Sequence, residues 1–183
     1  RKVPPGHYVQ LRQSQMGTEP LEVGKYWNVD WRREIDISLE EAKTRFAELL
    51  DDSIRLRLRS DVPLGAFLSG GIDSSLIVTL AQRQLDRPMH TFSIGFDRAD
   101  FDETHYARQV AAWARTDHHE YRVTPSAVDM LDQIVYHYDE PFGDSSAIPT
   151  WHLCRWTREF VTVALSGDGG DELCAGYDRY RAL

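Results

Sequence analysis

Two short runs of glycine, hydroxyl and carboxylate residues carry the chemistry available to this chain. The first is Ser69-Gly70-Gly71-Ile72-Asp73-Ser74-Ser75, between an apolar run and a helical pattern. Gly70 and Gly71 can adopt positive φ and let backbone N–H groups approach an anion. The N-terminus of the following helix concentrates partial positive charge at the same place. Ser69, Ser74 and Ser75 add hydroxyl donors. No lysine stands in the run, so it is not the lysine-bearing phosphate loop of kinases and GTPases. A carboxylate beside phosphates repels them unless a cation lies between, so Asp73 implies Mg²⁺ bridging it to the phosphates. The plainer alternative is a Gly-Ser turn whose Asp caps the helix.

The second run is Ser166-Gly167-Asp168-Gly169-Gly170-Asp171-Glu172. It also follows an apolar run, FVTVAL. In a parallel sheet both loops leave the carboxyl edge, where ligands bind. Asp73 and Asp171 could then share one metal, one from each loop. Alone, the second run reads equally well as an acidic surface turn.

The elements that must position these loops alternate in type. Ser38 and Glu41 make a capping box. From there Ala42, Phe46, Leu49, Leu50, Ile54 and Leu58 recur at helical spacing, up to a stop at Asp61-Val62-Pro63. Strands are predicted at 64–68, 89–96, 118–123 and 160–165. Helices are predicted at 74–85, with Leu76, Ile77 and Leu80 inward, and at 103–114, capped by Asp102. A further helix runs from a Thr124 cap with Pro125 at its first position to about Tyr138, and another covers 147–158. Strands alternating with helices predict an α/β fold with a parallel, doubly wound sheet. Upstream, 4–11 reads as a turn and short strand. Residues 12–25 read as a polar linker, and Tyr26, Trp27 and Trp31 are expected to pack on the elements downstream of them.

SGGIDSS resembles the pyrophosphate-binding loop of the N-type ATP pyrophosphatases (adenine nucleotide alpha hydrolase-like), which share a five-stranded parallel sheet. Within that superfamily the run LSGDGGDELCAGYDRY resembles the second loop of asparagine synthetases, with Gly176-Tyr177 in the place of their Gly-Tyr pair. The likeness extends to SDVPLGAFLSGG at 60–71, TFSIGF at 91–96, FDETHYAR at 101–108 and DEPFGDSSAIPT at 139–150. PPGHY and Tyr26-Trp27 resemble the end of that family's glutaminase domain and the link out of it. The resemblance thus implies a glutaminase tail and linker at 1–31, and a synthetase domain at 32–183, truncated at its C-terminus.

The resemblance implies adenine contacts at Phe67, Ile94, Ser166 and Gly167. Nucleotide contacts continue through Leu68, Ser69, Gly70, Gly71, Asp73, Ser74, Ser75 and Asp171. It implies metal ligation by Asp73 and Asp171, and catalytic roles for Asp73, Ser74 and Asp168. Phe67 departs from the aliphatic residue expected there, and Asp168 stands where the family often has Glu. The implied reaction uses ATP and Mg²⁺ to adenylate the aspartate side chain, releasing pyrophosphate. Ammonia from glutamine, channelled from a glutaminase domain of the same full-length chain, then displaces AMP. A cytoplasmic protein, with a homodimer as one arrangement, fits the same reading. The family's catalytic lysine lies downstream of the second loop, whereas the only lysines here are Lys2, Lys25 and Lys43. The 183 residues alone are therefore expected not to make amide.

Composition narrows the alternatives. The formal charge is −8 with a pI near 5.3, which disfavours nucleic acid as partner. No apolar run reaches the roughly 18 residues of a membrane helix. Cys154 and Cys174 lack metal spacing and read as reduced, partly buried thiols. His118 and His119 are adjacent on a strand and point to opposite faces, so they do not chelate one ion together. Glu140, Asp144, Ser145 and Ser146 either line the acceptor site or form an ordinary polar loop. Trp113, Trp151 and Trp156 read as packing residues. Competing readings keep the chemistry but change the acceptor, as in β-lactam synthetases or amidotransferases acting on cell-surface sugars or peptides. A tRNA-modifying adenylating enzyme would need a basic face and working cysteines. A non-catalytic remnant would be marked by loss of an acidic loop residue.

Overall fold

The computed structural model describes residues 2–10, 22–30, 32, 34–96, 102–123, 127–139, 143–144 and 146–182. The chain divides into two compact units, Arg1–Lys43 and Thr44–Leu183. In the first, β1 (His7–Gln10) pairs antiparallel with β2 (Glu22–Lys25). The linker expected over 12–25 therefore ends in a strand, because Val23 and Gly24 pair with Val9 and Tyr8. Tyr26 and Trp27 are exposed, not packed as expected, and Trp31 lies outside the described residues.

Helix α1 (Leu39–Arg57) runs across the division. At its capping box the Glu41 amide donates to Ser38 Oγ at 3.2 Å. Ile54 is buried with Leu50 and Leu58 beside it, but Phe46 and Leu49 face out, so the apolar stripe is narrower than its spacing suggests.

The second unit is an α/β sheet. After β3 (Leu64–Phe67) come α2 (Ile72–Arg83), β4 (His90–Phe96), α3 (Thr104–Ala114) and β5 (Asp117–Val123). The chain continues through α4 (Ala127–Tyr138), α5 (Ala147–Thr157), β6 (Val163–Leu165) and α6 (Gly170–Cys174), and ends in a 3-10 turn at Asp178–Ala182. Among the described residues four strands pair, all parallel, in the order β5-β4-β3-β6. The chain thus builds outward from β3 to β5, then returns to add β6 on the other side of β3. That reversal makes a topological switch point between β3 and β6, where a crevice opens at the carboxyl edge of a doubly wound sheet.

The core explains why these residues take these positions. Ala66 and Leu68 of the β3 segment meet Ile54, Val78, Ala81, Ala107 and Ala111, so α1, α2 and α3 share one face. On the other face Trp156 of α5 stands edge-on to Phe92 at 5.6 Å and stacks on Tyr121 at 5.3 Å. Trp156 is a packing residue, as expected, whereas Trp113 is 67% exposed. Leu76, expected inward, is 39% exposed. Asp102 accepts the Thr104 amide at 3.1 Å just ahead of α3, while the cap position falls on Glu103, one residue later than expected. Thr124 and Pro125 lie outside the described residues. The last strand is shorter than predicted because the Phe160 and Val161 amides donate back to Thr157 O at 3.0 Å, which keeps that stretch tied to α5. The cysteines are free, as expected, but exposed.

Gly65 shows how close this packing is. A Cβ there would lie 2.7 Å from His90 O and 2.8 Å from the Phe92 ring. Gly65→Ala is expected to lower stability by about 1–3 kcal/mol through overpacking. Urea denaturation should show a lower midpoint with an unchanged slope.

Candidate active site

Because β3 and β6 are neighbours in register, Ala66 opposite Leu165, the residues after them emerge side by side. The first loop is braced internally. Ser74 is buried, and its Oγ lies 2.9 Å from Ser69 Oγ, accepts the Ser69 amide at 3.2 Å and donates to Gly71 O at 3.3 Å. The Gly71 amide donates to Ser69 Oγ at 3.2 Å. The Ser74 hydroxyl is thus spent on shaping the loop. Ser75 Oγ is buried with no hydrogen-bond partner among the described residues. Gly70 has φ +89°, and a Cβ there would lie 2.6 Å from Tyr106 Cβ and 2.7 Å from the Ala107 amide. Both conformation and space demand glycine. The N-terminus of α2 has Gly71 as its cap and, among the described residues, no side-chain cap hydrogen bond, so no cap side chain competes with a ligand there.

The second loop closes onto the first. A Cβ at Gly167 would lie 2.8 Å from the Ser74 amide nitrogen and 3.2 Å from Asp73 Cβ. At Gly170 a Cβ would overlap the Asp73 carboxylate itself. The Asp171 carboxylate in turn rests on Gly176, where a Cβ would overlap Asp171 Oδ1, and the Gly176 amide donates to Asp171 O at 3.0 Å. Each of the two half-buried acids therefore lies on a glycine backbone. Asp168 is exposed, and its amide donates to Ser166 Oγ at 3.1 Å. Tyr177 Oη donates to Glu172 Oε1 at 2.8 Å. That bond holds the Glu172 carboxyl below its ordinary pKa and raises the Tyr177 hydroxyl above its own.

Beside the first loop, a cavity of about 180 Å³ is lined by Phe67, Leu68, Ser69, Ile94, Phe96 and Leu153, with Glu103 also on its wall. It gathers Phe67 and Ile94, both of which the family resemblance implies as adenine contacts. Phe96, Glu103 and Leu153 were not foreseen. Leu153 comes from α5, and no local signal connects it to this edge. Asp144 turns out to accept the Ser146 amide at 2.8 Å, which lowers its pKa and occupies it in the turn entering α5. Glu140 and Ser145 lie outside the described residues.

The geometry agrees with comparisons to known proteins. The family model for asparagine synthase matches residues 45–183, which takes in both loops. The chain belongs to the asparagine synthase family. It is 47% identical over 141 residues to a putative glutamine-hydrolyzing asparagine synthetase 2 of Methanocaldococcus jannaschii, covering 76% of this chain and 26% of that protein. It is 43% identical over 131 residues to glutamine-hydrolyzing asparagine synthetase 1 of Bacillus subtilis, covering 71% and 21%. The glutamine-hydrolyzing asparagine synthetase of Zea mays is 32% identical over 188 residues, covering 95% and 30%. This asparagine synthase domain thus spans between a fifth and a third of the length of these relatives. Among solved structures, the NH3-dependent NAD synthetase of Campylobacter jejuni aligns with a TM-score of 0.47 at 17% identity, covering 77% of this chain and 61% of that one. Among the described residues no helix is long and apolar enough to cross a membrane.

Proposed function

We propose that this chain is the ATP-binding part of a glutamine-dependent asparagine synthetase. The observation that carries the proposal is the closure of one acidic glycine loop on the other at the β3–β6 switch point, with Gly167 and Gly170 seated on Asp73 and Ser74. ATP would lie across this crevice, its adenine toward Phe67 and Ile94 and its phosphates over the open N-terminus of α2. The donor set also fits Mg²⁺, a hard cation that takes one or two carboxylates plus phosphate oxygens. Asp73 and Asp171 would hold it, and when bound it neutralises charge on the phosphates.

In the proposed reaction an oxygen of the aspartate side-chain carboxylate attacks the α-phosphorus of ATP. The bond from that phosphorus to the bridging oxygen breaks, and pyrophosphate leaves. Ammonia, supplied by glutamine hydrolysis, then adds to the acyl carbon, and AMP departs as asparagine forms. The residues of this chain contribute by position. The Ile72 and Asp73 amides and the helix dipole would stabilise the departing pyrophosphate, and Ser74 braces the loop that presents them. Asp168, which is exposed, would face the activated acceptor. Residues 1–31 would be the end of the glutaminase domain and the link from it.

The test is pyrophosphate release from ATP by the full-length protein with candidate acceptors. L-aspartate should stimulate release, and glutamine should supply nitrogen to labelled asparagine. Stimulation by tRNA and not by aspartate would refute the reading.

A further inference from the structure

We propose that His90, Asp117 and His119 form a binding site for one divalent late transition-metal ion, with Zn²⁺ as the occupant. The site lies at the amino ends of β4 and β5. Parallel register sets His90 opposite Asp117 and Phe92 opposite His119. Asp117 and His119 are two apart and share a face. His118 between them points to the other face and lies 3.0 Å from Thr91 Oγ1. The three donor atoms converge. His90 Nδ1 is 3.0 Å from Asp117 Oδ2 and 3.1 Å from His119 Nε2, and His119 Nε2 is 3.4 Å from Asp117 Oδ2.

Hydrogen bonding alone does not satisfy that triangle. If both ring nitrogens carry protons, two N–H groups face each other across 3.1 Å. If only His90 Nδ1 is protonated, a His119 lone pair faces the carboxylate. If only His119 Nε2 is, a His90 lone pair faces it instead. A central cation satisfies all three edges at once. With metal–ligand bonds of about 2.0–2.1 Å, tetrahedral ligands stand about 3.3 Å apart, which is the spacing seen here. Two imidazoles and one carboxylate suit zinc better than magnesium or calcium.

The fourth position is open to solvent. The side chains of His90 and Asp117 are 41% and 51% exposed, and a cleft of about 560 Å³ adjoins His90, walled by Pro63, Leu64, Pro88 and Phe160. The rings are held by packing. His119 stacks on Phe92 at 5.3 Å and lies 4.5 Å from Phe160. The site lies at the amino ends of β4 and β5, whereas the nucleotide loops leave the carboxyl ends of β3 and β6, so it is separate from the magnesium of the proposed reaction. Its effect is to clamp β4 to β5.

The test titrates chelator-treated, tag-free protein with Co²⁺ in magnesium buffer. One equivalent should bind with the visible absorption of a four-coordinate nitrogen–oxygen site, and Zn²⁺ should displace it. X-ray absorption of the zinc form should count two imidazoles. Asp117→Asn and His119→Ala should each weaken binding by at least about 100-fold, more than the loss of an outer partner. His118→Ala should retain it. Absence of saturable Co²⁺ absorption in the unaltered protein would overturn the site, as would undiminished binding in both folded variants.

Discussion

Asp73→Asn is expected to cut aspartate-dependent pyrophosphate release by about a thousandfold or more. The substitution keeps the shape of the side chain and removes its charge. That shape matters, because Asp73 sits in the first turn of α2 under the backbone of Gly167 and Gly170. An asparagine fits the same space, so the core is untouched. The charge also interacts favourably with the helix N-terminus, at about 0.3–1 kcal/mol, and losing that should leave the fold intact. Steady-state assays of the full-length protein should therefore show a collapse of kcat with a melting temperature within a few degrees of the parent. A variant that melts normally and retains more than a tenth of the parent rate would remove Asp73 from the chemistry.

Gly170→Ala is expected to lower the same rate by about a hundredfold while the protein stays folded. A methyl group there overlaps the Asp73 carboxylate, and the neighbour it meets is the end of a side chain, which can swing aside. Gly170 is not among the positive-φ glycines, so alanine carries no backbone strain. The carboxylate moves while the helix under it stays in place. Displacements of about 1 Å at a reacting centre cost on the order of 10²-fold. Gly169→Ala is the informative partner. Among the described residues it meets nothing within 4 Å, but it has φ +92°, so it strains the turn without touching Asp73. If the two alanines had equal effects on catalysis, contact with Asp73 would not be the reason.

Much of the architecture is readable in the residues. The alternation of apolar strands and amphipathic helices sets the order of elements from β3 to β6, with boundaries displaced by at most three residues. The two loops are legible because glycine, hydroxyl and acid must coincide at a strand–helix turn to hold phosphate. Other features depend on contacts between distant segments. Nothing local says that β6 lies beside β3, yet that adjacency brings Gly167 and Gly170 onto Asp73. The same limit explains the histidines. The sequence shows His118 and His119 as neighbours and rightly separates them by face. Only strand register reveals that His119 meets His90, 29 residues earlier. Phe160 reads as strand, but the Thr157 carbonyl holds its amide and the ring turns to His119. Leu49 and Trp113 carry apolar bulk at helical spacing and still face solvent, because helical spacing alone does not say how wide a stripe the neighbouring elements cover.

The most direct measurement is a crystal structure of the protein with Mg²⁺ and a non-hydrolysable ATP analogue. Triphosphate is expected over the first loop at the N-terminus of α2, with a metal within about 2.1 Å of carboxylate oxygens from both Asp73 and Asp171. Nucleotide bound elsewhere, or metal held by neither acid, would contradict it.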